Sequence, residues 1–250
     1  MKKLLLIMLI VLVPSLLLRI FWRGNNNGND APEERFITYI VDPQKQQLKF
    51  YWKDRNGKPL RSIENLMHHV ENQQLELIFA MNGGMYDQSN APVGLFIEDG
   101  ITIHALDTTN GKGNFYLKPN GVFFLTDEKR AGITVSADFN PAKVHYATQS
   151  GPMLIIGGKI HPSFNPTSQN LNIRNGVGML PNNKILFVMS KQEISLYDFA
   201  TYFKRHGCEN ALYLDGLVSR TYLPEKQWIQ TDGDFGLMIG VTKKIGSSNP

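Results

Sequence analysis

Residues 185–216 read ILFVMSKQEISLYDFATYFKRHGCENALYLDG, and this stretch decides the fold. Residues 185–189 (ILFVM) are a continuous apolar run, the pattern of a strand covered on both faces. Residues 195–206 carry a helix signal. Ser195 stands as N-cap with Asp198 three positions on, Leu196, Phe199, Ala200 and Phe203 line one face, and Gly207 closes it. Residues 211–214 (ALYL) form a second buried strand that ends at Asp215-Gly216. Strand, helix and strand in succession predict a βαβ unit with parallel, right-handed geometry. Asp215 then lies at the carboxyl end of a strand, where open sheets often place ligands.

Working toward the N-terminus, short strands dominate. Residues 36–41, 47–52, 75–81, 93–98, 101–106, 121–125, 144–148 and 153–156 all read as strands. Turn signals separate several of them: Asp42-Pro43, Asn56-Gly57, Asp99-Gly100, Asn120-Gly121 and Gly157-Gly158. One helix is predicted over 63–72, capped by Ser62, with Ile63, Leu66, Met67 and Val70 on one face. Residues 161–172 form a polar loop. The expected class is α/β (α+β): a mixed β-sheet domain with a C-terminal βαβ unit and strand-end glycine turns forming a cleft. No repeat of fixed period suggests a propeller or solenoid.

The leader differs from the rest. Lys2 and Lys3 precede an apolar run over residues 4–18, as in a signal peptide or an uncleaved signal anchor over 1–23. Trp22 and the nearby Arg19 and Arg23 suit a membrane interface. A polar linker is expected over 24–35 and the folded domain over 36–245. The topology implied by Lys2 and Lys3 puts the domain on the periplasmic or extracellular face. The net charge of +4 also belongs to the leader, because the remaining 22 basic residues balance 22 acidic ones. A neutral domain lacks the charge excess that a nucleic-acid partner requires. Cys208 is the sole cysteine, so no disulfide or zinc cluster forms within the chain, and it reads as a small buried hydrophobe.

Three glycine-containing turns carry polar side chains. The first is Asn82-Gly83-Gly84 with Tyr86, the second Arg174-Asn175-Gly176 and the third Asp215-Gly216 with Ser219 and Arg220. Glycine lets backbone N–H groups approach a ligand. Arginine offers a planar fork to phosphate, and an aspartate can serve as base or nucleophile. Each has a plainer reading as turn or ion-pair chemistry. No GxSxG, HExxH, Walker or Rossmann motif is present.

Taken in order, four elements carry a resemblance. They are Ala80-Met81-Asn82-Gly83-Gly84-Met85-Tyr86, Gln149-Ser150-Gly151-Pro152-Met153-Leu154, Ile173-Arg174-Asn175-Gly176-Val177-Gly178 and Ala211-Leu212-Tyr213-Leu214-Asp215-Gly216. Together they resemble the phosphodiester glycosidase family, across residues 37–241. The family's elements are Asn-Gly-(Gly/Thr/Ser)-aromatic, Gly-Gly-Pro-x-Leu, Arg-Thr-Ala-x-Gly and Leu-Asp-Gly-Gly-x-Ser. Here Asn175-Gly176 replaces Thr-Ala, Ser150 replaces a glycine and Leu217 replaces another. These departures mark a divergent bacterial branch.

The resemblance implies cleavage of a sugar-1-phosphodiester bond in an envelope polysaccharide or glycan. It casts Asp215 as the catalytic carboxylate and Arg174 as the phosphate clamp. Asn82, Gly83, Gly84, Tyr86, Gly151, Asn175, Gly176, Gly216, Ser219 and Arg220 would bind substrate. No cofactor is expected, and a divalent metal is left open. The alternative on the same fold is a non-catalytic carbohydrate- or envelope-binding protein.

Overall fold

The computed structural model describes residues 32–246. The leader and most of the expected linker lie outside the described residues; the linker's last four positions form a short 3-10 helix, Pro32–Arg35. The class is α+β, mainly β, with three antiparallel sheets.

Numbered along the chain, the first sheet has the order β1 (Phe36–Val41), β12 (Ile185–Ser190), β11 (Asn175–Met179), β13 (Ala211–Asp215), β9 (Met153–Ile156) and β10 (Lys159–Ile160). The second runs β15 (Trp228–Ile229), β14 (Thr221–Leu223), β3 (Leu75–Asn82), β16 (Met238–Lys244) and β2 (Gln47–Tyr51). The third runs β5 (Ile101–His104), β4 (Phe96–Glu98), β8 (Val144–Ser150), β6 (Gly121–Thr126) and β7 (Ala131–Val135). Two helices accompany them, α1 (Ile63–Glu71) and α2 (Leu196–Arg205).

Phenylalanines join the three sheets. Phe123 of the third packs on Phe50 of the second and Phe187 of the first, with centroids 5.5 and 5.9 Å apart, and Phe187 meets Phe79 of the second at 5.1 Å. Such ring pairs bury large apolar area while fixing relative geometry. All six residues of β12 are buried, as its unbroken apolar run predicts. Ile185, Phe187 and Met189 face the central core, and Leu186 and Val188 face a second core with Phe199, Ala200, Tyr202 and Phe203 of α2.

Both helices start and stop where expected. Ser62 accepts from the Asn65 N–H and Ser195 from the Asp198 N–H, each satisfying a free helix-start donor. Gly207 takes a positive φ just beyond α2. Among the described residues no helix is long and apolar enough to cross a membrane.

Four expectations need correction. First, β12 and β13 do not pair. Both pair antiparallel with β11, which lies between them, so they run in the same direction without touching as a parallel ladder. Second, residues 175–178 are strand rather than turn. Their glycines admit α2: a Cβ on Gly178 would lie 2.6 Å from the Phe203 ring and 2.7 Å from Cys208 Sγ, and one on Gly176 2.8 Å from Leu212 O. Third, Asn120-Gly121 is not a hairpin turn, because Gly121 opens β6 and buried Asn120 donates to Phe115 O. Fourth, Gly94 has a positive φ, so the strand expected over 93–98 begins only at Phe96. Asp99-Gly100, by contrast, is the β4–β5 hairpin turn, with both residues at positive φ.

Gly178→Ala drives a methyl into Phe203 and Cys208, so it is expected to destabilise the protein by about 1–3 kcal/mol. Urea denaturation compared with the native chain reads the difference; an unchanged midpoint would show that α2 accommodates the methyl.

Candidate functional site

Three strand ends meet at Asp215. β3 ends at Asn82, β11 begins at Asn175 and β13 ends at Asp215, so two sheets supply one cluster. The Asn175 carboxamide joins them: its Nδ2 donates to Asn82 O and Asn82 Oδ1, both at 2.8 Å, and its Oδ1 accepts from Asp215 N at 2.8 Å. Asn82 Oδ1 also accepts from the Arg220 N–H at 3.0 Å, and Asn82 Nδ2 donates to Asp215 Oδ2 over a long 3.4 Å. The third sheet supports the same region, with Ser150 Oγ donating to Leu214 O at 2.9 Å and Thr148 Oγ1 to Gly83 O at 3.3 Å.

Asn82 and Asn175 are fully buried with their polar atoms engaged, whereas Asp215 is half-buried at the cluster's edge. Burial lifts the Asp215 carboxyl to about 6, against the opposing pull of the Gly216 N–H and the Asn82 amide. The Gly216 N–H donates to Asp215 Oδ1 at 2.6 Å. Burial followed by the negative charge of Asp215 raises the half-buried Tyr86 phenol, which places this hydroxyl within the field of the carboxylate.

Arg174, expected as the phosphate clamp, lies in the interior of the fold. It is fully buried, and its guanidinium donates from Nε to Ile194 O at 2.7 Å, from Nη2 to Asn170 O at 2.8 Å and from Nη1 to the Tyr213 hydroxyl at 3.1 Å. The cation therefore holds the polar loop and the start of α2 against β13, with neutral acceptors replacing its hydration. Arg220, whose backbone N–H reaches Asn82, is the partly exposed arginine. Its fork grips Asp232, with Nε and Nη2 each 2.9 Å from a carboxylate oxygen, and Nη1 donates to Ser219 O at 3.1 Å. Asp232 raises the Arg220 guanidinium and is itself held below the usual carboxylate range by it.

The glycines serve packing before ligand contact. The Gly83 N–H donates to Leu237 O, and a Cβ there would lie 2.7 Å from Ile239 Cγ1. On Gly84 a Cβ would lie 2.9 Å from Thr148 Oγ1, and on Gly151 2.7 Å from Asn120 Cβ. The Tyr213 hydroxyl occupies the space where a Gly216 side chain would stand. Buried Ser219 donates to Gly216 O at 2.9 Å, shaping the turn after Asp215. Leu217 in that turn is 87% exposed. Sequence reasoning did not single out Tyr213 as the partner of Arg174, since nothing in a strand residue's spacing reveals its hydrogen bonds. Cys208 is buried as expected, its thiol pushed up to about 12 by desolvation. Among the described residues no group of three or more His, Cys, Asp or Glu is arranged to hold a metal.

The phosphodiester glycosidase family model matches residues 76–242, which include Asn82, Asn175 and Asp215. The chain belongs to that family. It is 39% identical to the uncharacterized protein YigE of Escherichia coli K12 over 207 residues, covering 82% of this chain and 81% of that one. Among solved structures, the catalytic domain of zebrafish N-acetylglucosamine-1-phosphodiester alpha-N-acetylglucosaminidase, auto-inhibited by its pro-peptide, superposes with a TM-score of 0.56. That match has 14% identity and covers 83% of each chain. A hypothetical protein from Synechocystis superposes with a TM-score of 0.51 at 14% identity, covering 83% of this chain and 59% of the other. At these identities the likeness is one of fold.

Two outcomes follow from this geometry. A carboxylate with a raised pKa favours the folded state least when ionised, so its contribution falls as pH rises from about 4 through about 6. Asp215→Asn removes this dependence. Its stability relative to the native chain should therefore improve by about 2 kcal/mol between pH 4 and pH 7. Chemical denaturation at both pH values measures it, and a pH-independent difference would mean that Asp215 titrates normally. Arg174→Ala should cost about 3 kcal/mol or more, because it leaves buried acceptors without donors. Arg174→Lys should recover little, since one ammonium cannot span Ile194 O, Asn170 O and Tyr213. Full recovery in the same denaturation assay would contradict the fork's role.

Proposed function

We propose that the protein is a hydrolase of glycosyl phosphodiesters, cleaving between a sugar's anomeric carbon and a phosphodiester oxygen. The observation that carries this reading is the Asn82–Asn175–Asp215 cluster, which aims one half-buried carboxylate with a raised pKa of about 6 from the meeting point of two sheets. Family membership supports the choice of reaction.

Phosphate is already a good leaving group, so the carboxylate matters more than a strong proton donor. Ionised above about pH 6, Asp215 would activate water or stabilise an oxocarbenium-like centre. Asn82 and Asn175 would hold it in position. Arg220 takes over the phosphate role first expected of Arg174, because its guanidinium is partly exposed and its backbone N–H is fixed to Asn82. Tyr86 would face the substrate beside Asp215. The charged and apolar leader favours a site of action outside the cytoplasmic membrane, on an envelope polymer or glycan.

Sugar release from a panel of sugar-1-phosphodiesters by the purified full-length protein tests the reading. Turnover is expected to rise with pH through about 6 and to fall about 100-fold or more in Asp215→Asn. Loss of activity on Arg220→Ala through a raised KM would fit phosphate binding. Sugar binding without turnover on any member would instead support a non-catalytic binding protein on this fold.

A further inference from the structure

A cavity lies at the other end of the strands that build the Asp215 site. On β16, Met238 pairs with both Asn82 and Tyr51, whereas Thr242, four residues on, pairs with Gln47 at the start of β2. On β8, Ser150 supports Leu214 beside Asp215, while Val144–Tyr146 begin the strand at the opposite edge, where Val144 pairs with Thr126. Between these far ends is a cavity of about 460 Å³, lined by residues from β2, β6, β8 and the turns at 43–46 and 126–129. That volume falls within the range of small-molecule sites.

The two turns are tied together, so the walls are set before any ligand arrives. Gln44 Nε2 donates to Glu128 O and Lys129 O, both at 3.0 Å, and Asn183 Nδ2 donates to Lys129 O at 3.0 Å. Three lysines line the cavity: Lys45, Lys49 and Lys129. Asp127 is the carboxylate in this lining, and His145 lies between it, at 3.1 Å from Nδ1, and Asp99, at 3.4 Å from Nε2. Lys45 has a loose contact with Asp42, at 3.9 Å. Among the described residues neither Lys49 nor Lys129 has an ion-pair partner, although Lys49 is half-buried and near enough to Glu98 to oppose that residue's raised pKa. Leu48 and Leu125 are buried behind the wall, the lysine stems supply apolar surface, and Gln46, Gln47 and Thr126 add hydrogen-bonding groups.

We infer that this cavity binds a phosphorylated sugar. Lysines act as point charges on a phosphate, and neither Lys49 nor Lys129 would have to give up an ion pair to bind one. Apolar patches beside amide and hydroxyl groups match the mixed faces of a sugar ring. This site does not depend on Asp215, and it holds whether or not the cluster at Asp215 is catalytic. An anionic glycan bound there would add a second point of attachment, far from the first along the same strands.

Calorimetric titration of the full-length protein with α-glucose 1-phosphate, inorganic phosphate and glucose tests the inference. The sugar phosphate should bind more tightly than either fragment and should weaken as salt is raised. Its affinity should fall about tenfold or more in Lys49→Ala/Lys129→Ala, remain in Lys49→Arg/Lys129→Arg, and remain in Asp215→Asn. Lys129 is exposed and Lys49 half-buried, and thermal melting verifies that the double variants are folded. Unchanged affinity in the alanine variant would overturn the site. So would loss of binding in Asp215→Asn, or equal affinity for glucose or for phosphate alone.

Discussion

The carboxamide of Asn175 is the interaction on which the candidate site depends. A single side chain donates to the backbone and side chain of Asn82 and accepts from the backbone of Asp215. These three residues come from strands of two different sheets, so the bonds fix one sheet against the other at the point where the carboxylate emerges. Buried amides are costly when unsatisfied, and here each engages the other. Replacing Asn175 with an apolar residue would leave Asn82 and the Asp215 N–H searching for partners in a dry interior. The raised pKa of Asp215 follows from the same arrangement: two N–H donors face it, yet they do not offset the loss of water around a half-buried carboxylate.

Around this cluster the fold divides its cations by depth. Arg174 is wholly interior and serves as a brace between the 161–172 loop, the start of α2 and the Tyr213 hydroxyl. Tyr213 in turn fills the space beneath Gly216, so the geometry of the Asp215 turn is coupled to the arginine through one phenol. Arg220 stays partly exposed, with its fork on Asp232. An arginine that is engaged on every side organises a site; one at the rim can exchange its partner for a ligand. The lysines near the far ends of β2 and β6 form a third group, away from both.

Glycine use also reflects packing more than turn formation. Gly176 and Gly178 lie in a central strand because Phe199, Phe203 and Cys208 occupy the space that side chains would need. Gly83 and Gly84 likewise sit under Ile239 and Thr148. The departures from the family's usual residues must be judged in this setting. Asn175 in place of threonine supplies the amide that bridges the two sheets, and Leu217 in place of glycine projects into solvent beside Asp215.

Much of the local structure was legible in the sequence. The unbroken apolar run of β12, the Ser62 and Ser195 caps, the Gly207 stop and the Asp99-Gly100 hairpin rest on short-range chemistry, and each appears where it was read. The ordered motifs also identified the family and put Asn82, Asn175 and Asp215 among the site candidates, but they set Arg174 rather than Asn175 beside Asn82 and Asp215. Spacing could not reveal that β11 separates β12 from β13, because an Asn-Gly-Val-Gly run has the local signature of a turn and becomes a strand only when two neighbours hydrogen-bond it. Nor could it distinguish the buried Arg174 from the rim Arg220: both are loop-adjacent arginines in sequence, and depth is a property of what packs around them. Local order was therefore set by the chain itself, whereas partner choice, burial and the resulting carboxyl pKa were decided by contacts between residues as far apart as Asn82 and Asp215.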